Sequence, residues 1–345
     1  MDKVLKLFKL RKYFLILTSL FLITLIPLSI SIGTYEASLI DFFKLLLNDS
    51  SVSEGVRTAL MLRFRRVLAS IVMGVVLGAS GACMQAVFRN PMASPFTLGI
   101  SHAAALGVAI SLILGVVGSV RYRVVYVGSP YLLPISAFTF ALVQVFIILA
   151  LAYRAKLTER ALVLAAIAMS FFYQAILSLL QYLVLNELQI AMVVFWTFGD
   201  VGRVDWVGLK VISTVAVVLT IYYLIRSLDL DLISLGDDIA YSSGVNPKRL
   251  RLESTIVSAF GTSVVTAFAG VLAFLCLVTP HIARLIVGSS HRYLIPTSML
   301  LGAILLLVAD DVGRVVINPV ILPVGIVLSF IGAPLLLYLL LRGGS

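Results

Sequence analysis

Apolar runs of roughly 20 residues recur from one end of this sequence to the other. A helix rises 1.5 Å per residue, so each run is long enough to cross the hydrocarbon core of a bilayer, which is about 30 Å thick. Only 12% of the residues are charged, about half the share found in water-soluble domains. The alternating pattern of a membrane β-barrel is not seen. The chain is therefore predicted to be an all-α, polytopic membrane protein.

The distribution of basic residues predicts the topology. Five of them precede the first span, Tyr13 to Ile32, and place the N-terminus in the cytoplasm. This span is predicted to be retained and not cleaved as a signal peptide. Counting from it predicts nine full or nearly full spans and one short one, giving ten crossings with both termini cytoplasmic. The net charge of +10 is assigned to topology and to lipid headgroups, and no nucleic-acid partner is expected.

Three arginines in four positions lie beside the second span, Val67 to Phe88. Arg63, Arg65 and Arg66 fall on the predicted outer side, where basic residues are disfavoured. One interpretation is that their long side chains reach the lipid headgroups. The other is a positive external platform for an acidic protein or an anionic ligand.

Charged and imidazole side chains inside the spans are candidates for transport chemistry. Asp310 and Asp311 precede Arg314 by one turn. Local charge compensation at i, i+3 and i, i+4 is preferred to a proton or cation site, because no acidic relay is visible. His102 is interpreted as a hydrogen-bonded interior residue, with a substrate contact as the alternative.

The largest polar insert of the second half runs from Arg226 to Arg251 and is cytoplasmic by parity. Its periodic apolar residues predict two short amphipathic helices, broken near Gly236 and Gly244. A further stretch, Asn186 to Trp206, is too short in its apolar part to span and is predicted to be a short external or re-entrant helix.

Pro280 is predicted to interrupt the helix that starts at Ser254, leaving a short broken segment as far as Val287. His281 and Arg284 share one helical face after it and are expected to satisfy backbone groups or to face a cytoplasmic partner. The small residues from Gly74 to Ala82 predict close helix packing or dimerisation. Both cysteines, Cys83 and Cys276, are interpreted as packing residues.

No catalytic constellation, metal site or cofactor motif is found in the sequence. It has no GKS/T phosphate loop, so the chain is not expected to hydrolyse ATP by itself. An ion-coupled secondary transporter would explain a membrane protein that works alone. An intramembrane enzyme would need a nucleophile–base or metal pair, and none is visible.

Five blocks of sequence, in this order and spacing, form a specific pattern: Arg63 to Arg66; Gln85 to Pro95 with Leu98-Gly99; Leu235-Gly236 to Gly244-Val245; Ala269-Gly270 through Pro280, His281 and Arg284 to Arg292; and Ala309-Asp310 through Arg314, Leu322-Pro323 and Gly325 to Pro334. The chain resembles a permease subunit of the type II ABC importers that take up iron–siderophore chelates, haem and cobalamin. The resemblance covers nearly the whole chain.

This resemblance implies a single permease domain over residues 1–345, residing in the cytoplasmic membrane, with residues 226–251 as its coupling insert. It implies a homodimer with the translocation path at the two-fold interface, two ATPase subunits and an extracytoplasmic substrate-binding protein. Transport would proceed by alternating access. An iron(III)–siderophore is the first choice of substrate, and haem, cobalamin and molybdate or tungstate are alternatives.

The resemblance also implies roles for particular residues. Arg63, Arg66 and Arg314 would pair with acidic residues of the binding protein. The sequence departs from the family pattern at Arg65, where proline is usual at this position or the one before, at Cys276, where glycine is common, and at Ile321, where glutamate is usual. The residues implied for ATPase coupling are Leu235, Gly236, Asp237, Asp238, Ala240, Gly244 and Val245, and the cytoplasmic motif residues are Arg89, Asn90, Pro91, Pro280, His281 and Arg284.

Overall fold

The computed structural model describes residues 2–33, 35–47, 49, 51–115, 120–121, 124–125, 131–155 and 159–342, and these are mostly helical. Strands β1 (Val120–Arg121) and β2 (Val124–Val125) form a small antiparallel pair. The prediction of an all-α protein is confirmed. The helices are α1 Asp2–Ser31, α2 Leu39–Leu46, α3 Glu54–Val87, α4 Ile100–Ile113, α5 Leu132–Arg154, α6 Glu159–Leu183, α7 Glu187–Thr197, α8 Trp206–Ile225, α9 Ser227–Leu235, α10 Asp237–Ser242, α11 Pro247–Ala269, α12 Leu275–Val287, α13 His291–Val315 and α14 Val324–Arg342.

Within the described ranges, seven helices are long and apolar enough to cross a bilayer: α1 from Leu10, α3, α5, α6 from Ala161, α8, α11 and α13. Helices α4, α7, α12 and α14 are apolar and shorter. Three of these, α4, α12 and α14, fall on segments predicted to cross, and α7 is the short helix predicted before Trp206. The fold agrees with the predicted class of about ten membrane helices.

The predicted interruption at Pro280 is wrong, because Pro280 lies inside α12. The break comes earlier, where Gly270 and Phe274 have φ angles of +81° and +68°, a left-handed backbone that cannot continue a helix. Pro280 has no N–H to donate to the carbonyl of Cys276. Helix α3 approaches that same carbonyl at Gly81, where a Cβ would lie 1.9 Å from it.

The chain divides into two compact units. The first comprises Met1–Ala82, Asp200–Asp231 and Ala273–Ser345, and the second comprises Cys83–Gly199 and Leu232–Leu272.

Close helix packing in the first unit depends on glycine, as the small-residue spacing predicts. A Cβ at Gly74 would lie 2.3 Å from the carbonyl oxygen of Gly302, and one at Gly78 would lie 2.1 Å from that of Ser298. Helices α3 and α13 therefore touch through their backbones. An apolar core beside this contact joins α1, α2, α3 and α13 and contains Leu22, Ile30, Phe42, Leu45, Leu60, Val67, Ala303, Ile304 and Leu307.

In the second unit, α4 and α5 also meet at a glycine. The Ser136 hydroxyl donates to the Gly107 carbonyl at 2.7 Å, and a Cβ at Gly107 would lie 2.7 Å from the Ser136 carbonyl. Both cysteines are buried thiols without a disulfide, which agrees with their predicted packing role.

The polar insert forms the two short helices predicted for it, α9 and α10. Gly236 separates them with a φ angle of +137°, and Gly244 follows α10 with a φ angle of +87°. Glycine adopts such angles without the clash that a Cβ would cause. Asp237 and Asp238 lie in the first turn of α10, where their charge suits the positive end of the helix dipole.

Candidate functional site

The two arginines at opposite ends of the sequence pattern, Arg63 and Arg314, cap the C-terminal end of α1. Arg63 Nη1 donates to the carbonyls of Ile30 and Ser31, at 3.2 and 3.3 Å. Arg314 Nη1 donates to the carbonyls of Ser29 and Ile32, at 3.0 and 2.7 Å. The last carbonyls of a helix have no partner within it, so both side chains supply hydrogen bonds that the helix lacks.

Arg66 joins α3 to α13 and to the turn that precedes α8. Its Nε donates to both carboxylate oxygens of Asp310, at 2.9 and 3.1 Å. Its Nη2 donates to Asp200 at 3.0 Å. Asp200 in turn accepts from the backbone N–H of Gly202 at 2.8 Å. We call Arg63, Arg66, Arg314, Asp200, Asp310 and Asp311 the arginine cluster.

The acidic pair of the arginine cluster compensates charge as the sequence predicts. Arg314 Nε lies 3.2 Å from Asp310 Oδ2, and Arg314 Nη2 contacts Asp311. Asp311 also accepts from the hydroxyl of Ser29. The bonds to Asp200 and to the end of α1 are not foreseen from the sequence, because they join residues that lie between 32 and 285 positions apart.

A cavity of about 290 Å³ lies beside the arginine cluster. Its lining includes four arginines, Arg63, Arg65, Arg66 and Arg314, and no aspartate or glutamate among the described lining residues. Ile321 lines it as well, so two of the three departures from the pattern of the resembling family, Arg65 and Ile321, fall at this cavity.

A second group of charges joins the insert to the turn after α3. We call Arg89, Asp237 and Arg251 the insert cluster. Arg251 Nη2 donates to Asp237 at 3.0 Å, and Arg89 Nη2 lies 3.4 Å from the same carboxylate. Arg251 Nε also donates to the carbonyl of Val87, at 2.9 Å. The start of α10 is thereby held against the C-terminal end of α3 and against α11.

The remaining residues implied for coupling lie around this cluster. Ala240 is buried, whereas Leu235 and Asp238 are exposed. The backbone N–H of Val245 donates to the carbonyl of Ala240 at 2.9 Å, which closes the turn after α10. In the turn after α3, Asn90 Oδ1 accepts from the N–H of Met92 at 2.8 Å, across Pro91.

His281 and Arg284 lie one turn apart on α12, as their spacing predicts, and both are partly exposed. His102, predicted to be an interior residue, is instead exposed and lines a mostly apolar cavity of about 480 Å³ in the second unit. The expectation of a buried hydrogen bond at His102 is therefore wrong. A long apolar stretch around a histidine does not fix which face of the helix it occupies.

A further charged contact, between Asp231 and His291, is also not predicted from the sequence. Asp231 of α9 accepts from the backbone N–H and from Nδ1 of His291, both at 2.7 Å, and from the Ser290 hydroxyl at 3.2 Å. The carboxylate thus holds the N-terminus of α13. Burial raises the pKa of Asp231, but its hydrogen bonds with His291 and Ser290 outweigh burial, so its pKa lies below the ordinary value. The signal in the sequence was an aspartate in the insert and a Ser-His pair opening a helix.

The FecCD transport family matches residues 20–342 of this chain. A protein of Methanocaldococcus jannaschii, provisionally named as an ABC transporter permease, is 43% identical over 282 residues, which is 81% of this chain and 80% of that protein. The hemin transport system permease protein HmuU of Yersinia pestis is 34% identical over 300 residues, 87% of this chain and 88% of that protein.

A solved structure shares the fold. It is described as an inward-facing conformation of an ABC transporter provisionally assigned to the metal-chelate type. It aligns with a TM-score of 0.82 and 26% identity, covering 96% of this chain and 99% of that chain. The family match and both relatives extend over most of the chain, as do the five sequence blocks and the helices that carry them. The chain therefore belongs to the FecCD transport family of ABC importer permeases.

Proposed function

We propose that this chain is the translocating subunit of an ABC importer that moves a metal chelate, with an iron(III)–siderophore as the first choice, across the cytoplasmic membrane. The observation that carries the proposal is the family match over residues 20–342. The similarity to a hemin permease and to a transporter of metal-chelate type supports a chelate as the cargo. Haem, cobalamin and molybdate or tungstate are the alternatives, and the ligand retained by the purified binding protein distinguishes them.

The proposed assembly is a homodimer with two ATPase subunits, in which the translocation path lies at the two-fold axis and opens alternately to either side. Each chain forms one permease domain over residues 1–345, with both termini in the cytoplasm. The sequence has no phosphate-binding loop, so a partner hydrolyses the ATP and this chain is not an enzyme.

The docking surface for the binding protein is formed by the three arginines of the arginine cluster, Arg63, Arg66 and Arg314. Its position on the outer side follows from the topology predicted from the basic residues. Four arginines line one cavity there, which supports an acidic partner, because complementary charge directs association.

The ATPase contacts the coupling insert, residues 226–251. Leu235, Ile239 and Tyr241 are large apolar residues of the insert that remain exposed, a feature typical of a protein-binding surface. The insert cluster, Arg89, Asp237 and Arg251, fixes the start of α10, so this surface is held in place before a partner binds.

The proposal is tested by transport in proteoliposomes. The chain is reconstituted with the ATPase and the binding protein encoded in its operon, and uptake of a radiolabelled iron(III) chelate is measured. Uptake is expected only when ATP and all three components are present. Uptake driven by a proton or sodium gradient in liposomes that contain this chain alone would show an ion-coupled secondary transporter instead.

A further inference from the structure

We propose that the N-terminal part of α1 binds an anionic phospholipid, with the phosphate group at Arg11 and an acyl chain along the apolar side chains that follow it. The site lies in the leaflet on the predicted cytoplasmic side of the membrane. It shares no residue with the arginine cluster or the insert cluster, and it does not depend on the cargo that the chain transports. Its failure would therefore leave the proposed function in place.

Arg11 lies at the level of the lipid headgroups. Helix α1 ends at Ser31, where Arg63 and Arg314 bond to its last carbonyls. From Arg11 to Ser31 the helix is about 30 Å long, which is the thickness of the hydrocarbon core. With Ser31 at the outer surface, Arg11 therefore falls where the core ends on the predicted cytoplasmic side.

Arg11 is held in place by α12 and α13. Its guanidinium carbon lies 5.6 Å from the centre of the Tyr293 ring, within the range of a cation–π contact. A Cβ at Gly288, the residue after α12, would lie 2.8 Å from Arg11 Nη2, so the guanidinium rests against a backbone position without a side chain. These contacts orient the charge before a ligand binds.

The charge of Arg11 is not compensated within the described part of the chain. No hydrogen bond or ion pair joins Arg11 to another described residue, and its Nε is buried without a partner. Donors of a charged group that remain unsatisfied cost free energy. Because Arg11 is partly exposed, an anion from outside the chain can reach the guanidinium and accept hydrogen bonds from it.

The surroundings of Arg11 are basic. Lys12 of α1 and Arg292 of α13 are exposed and form no ion pair with another described residue. Asp231, which contacts the start of α13, is already bonded to Ser290 and His291. The sequence adds three lysines to the same helix: Lys3, Lys6 and Lys9. A cluster of about four to eight basic residues on the cytoplasmic side of a membrane span is typical of binding to anionic lipids.

An apolar groove begins beside these charges and suits an acyl chain. Its volume is about 380 Å³, and its described lining comes from α1 alone: Leu10, Tyr13, Phe14, Ile16, Leu17 and Leu20. Leu10 and Tyr13 flank Arg11 and Lys12 in the sequence, and tyrosine is common at the level of the headgroups. Along α1 the basic residues and the groove thus follow one another as the headgroup and acyl chain do in a phospholipid. A soluble phosphate would use only the first part.

The test measures lipid binding to the detergent-solubilised, full-length permease by native mass spectrometry. Dioleoyl-phosphatidylglycerol is compared with dioleoyl-phosphatidylcholine, and the wild type is expected to bind the anionic lipid about tenfold more tightly. Arg11→Gln is expected to weaken phosphatidylglycerol binding by about tenfold and to leave phosphatidylcholine binding unchanged. Arg11→Lys is expected to recover only part of the loss, because lysine does not bind phosphate through two parallel hydrogen bonds.

Two further variants separate a specific site from general charge. Tyr293→Leu keeps every charge but removes the ring beneath Arg11, and it is expected to weaken phosphatidylglycerol binding by about threefold. Arg154→Gln is the matched control, because it removes an exposed arginine from the last turn of α5, also on the predicted cytoplasmic side. It should bind phosphatidylglycerol as the wild type does.

The thermal unfolding midpoint gives a second measurement that does not require equal stability of the variants. A ligand that binds the folded state raises the midpoint, so each variant is compared with itself before and after phosphatidylglycerol is added. The rise should be smaller in Arg11→Gln than in the wild type, and should be unchanged in Arg154→Gln.

Four results would overturn the inference. They are equal affinity of the wild type for both lipids, wild-type affinity of Arg11→Gln for phosphatidylglycerol, an equal loss in Arg154→Gln, and complete displacement of phosphatidylglycerol by inorganic phosphate, which would show a site for a free anion. If Arg11→Gln kept its lipid affinity but no longer bound the ATPase, the surface would belong to a protein partner. Uptake of the chelate by the wild type is measured separately, so none of these results contradicts the proposed function.

Discussion

At the scale of single residues, the arginines at the end of α1 explain how buried charge is tolerated beside a membrane span. A helix end in hydrocarbon has no water to satisfy its last carbonyls. Arg63 and Arg314 donate to the carbonyls of Ser29, Ile30, Ser31 and Ile32. The positive charge also lies at the negative end of the helix dipole. The desolvation of each guanidinium is therefore offset by bonds that the helix needs.

Asp231 gives a pH-dependent prediction. Replacing it with Asn removes a carboxylate that accepts three hydrogen bonds from Ser290 and His291. Asp231→Asn is expected to lower the free energy of unfolding by about 1 kcal/mol at neutral pH. This is less than the contribution of a hydrogen bond to a buried charge, because Asp231 is partly exposed. Thermal unfolding of the detergent-solubilised protein measures the loss.

The sign of the pH dependence follows from the lowered pKa of Asp231. Its stabilisation is complete above the ordinary aspartate value, about pH 4, and is lost as the pH falls through the lowered pKa. The difference between wild type and variant should therefore shrink below about pH 4. Asp229→Asn in the same helix, which breaks only an i, i+3 pair with Arg226, is the control. A difference that persists unchanged at low pH would contradict the assignment.

At the scale of elements, the contact between α3 and α13 requires glycine on both sides. A Cβ at Gly302 would lie 2.2 Å from the carbonyl oxygen of Gly74, a backbone atom that cannot move away as a side chain can. Gly302→Ala is expected to destabilise the protein by about 2 kcal/mol through overpacking. The loss would appear as a lower thermal unfolding midpoint.

Gly55→Ala is the matched control for that prediction. The nearest atom to its added Cβ is the hydroxyl of Tyr35, at 2.6 Å, at the end of a side chain that can rotate. Its unfolding midpoint should stay near that of the wild type. An equal loss in both variants would mean that the approach of the two backbones does not set the cost, because helix propensity by itself favours Ala over Gly.

Elements with a local signal could be predicted from the sequence, and those that depend on packing could not. The two helices of the insert follow from apolar periodicity and from Gly236 and Gly244. The position of the break before α12 does not, because proline is the stronger local breaker and yet Pro280 lies inside α12. Gly81 of α3 packs against the carbonyl of Cys276, a contact between distant segments that the sequence does not indicate. The positive φ angle of Phe274 likewise could not be predicted, because the residue type gives no indication of it.

The contacts of the arginine cluster also fall into those that the sequence predicts and those that it does not. The pairing of Asp310 and Asp311 with Arg314 is local, so the i, i+3 and i, i+4 spacing predicts it. The bond of Arg66 to Asp200 depends on where a distant turn packs. The importance of Arg63 could be inferred from its position on the unfavourable side of the membrane. Its acceptors could not be predicted, because they are backbone carbonyls of α1, and every residue type has a backbone carbonyl.

At the scale of the whole molecule, α13 connects two charged contacts of the first unit. His291, its first residue, is held by Asp231 of α9, and Asp310, Asp311 and Arg314 lie in its last two turns. At 1.5 Å per residue, its 25 residues span about 37 Å. If a bound partner moved α9, it would therefore also move α13, whose other end carries residues of the arginine cluster.

The insert cluster provides the corresponding prediction for the assembled transporter. Asp237 accepts from Arg251 at 3.0 Å and lies 3.4 Å from Arg89, and so ties α10 to α11 and to the end of α3. Asp237→Asn keeps the side-chain size but removes the charge, so the exposed apolar residues Leu235 and Ile239 are held less firmly before the ATPase binds. The proposed coupling predicts that ATP-driven chelate uptake falls by about tenfold. A free-energy difference of about 1.4 kcal/mol changes an equilibrium constant by this factor.

Uptake and ATP hydrolysis are measured together in proteoliposomes containing the permease, its ATPase and its binding protein. Asp237→Asn should raise the number of ATP molecules hydrolysed per chelate transported, whereas a variant that merely failed to fold would lose ATPase recruitment altogether. Arg249→Gln is the matched control, since it breaks an exposed i, i+4 pair with Glu253, which contributes little stability. Normal coupling in Asp237→Asn would show that the fixed start of α10 is not needed, and that the partner orders the insert when it binds.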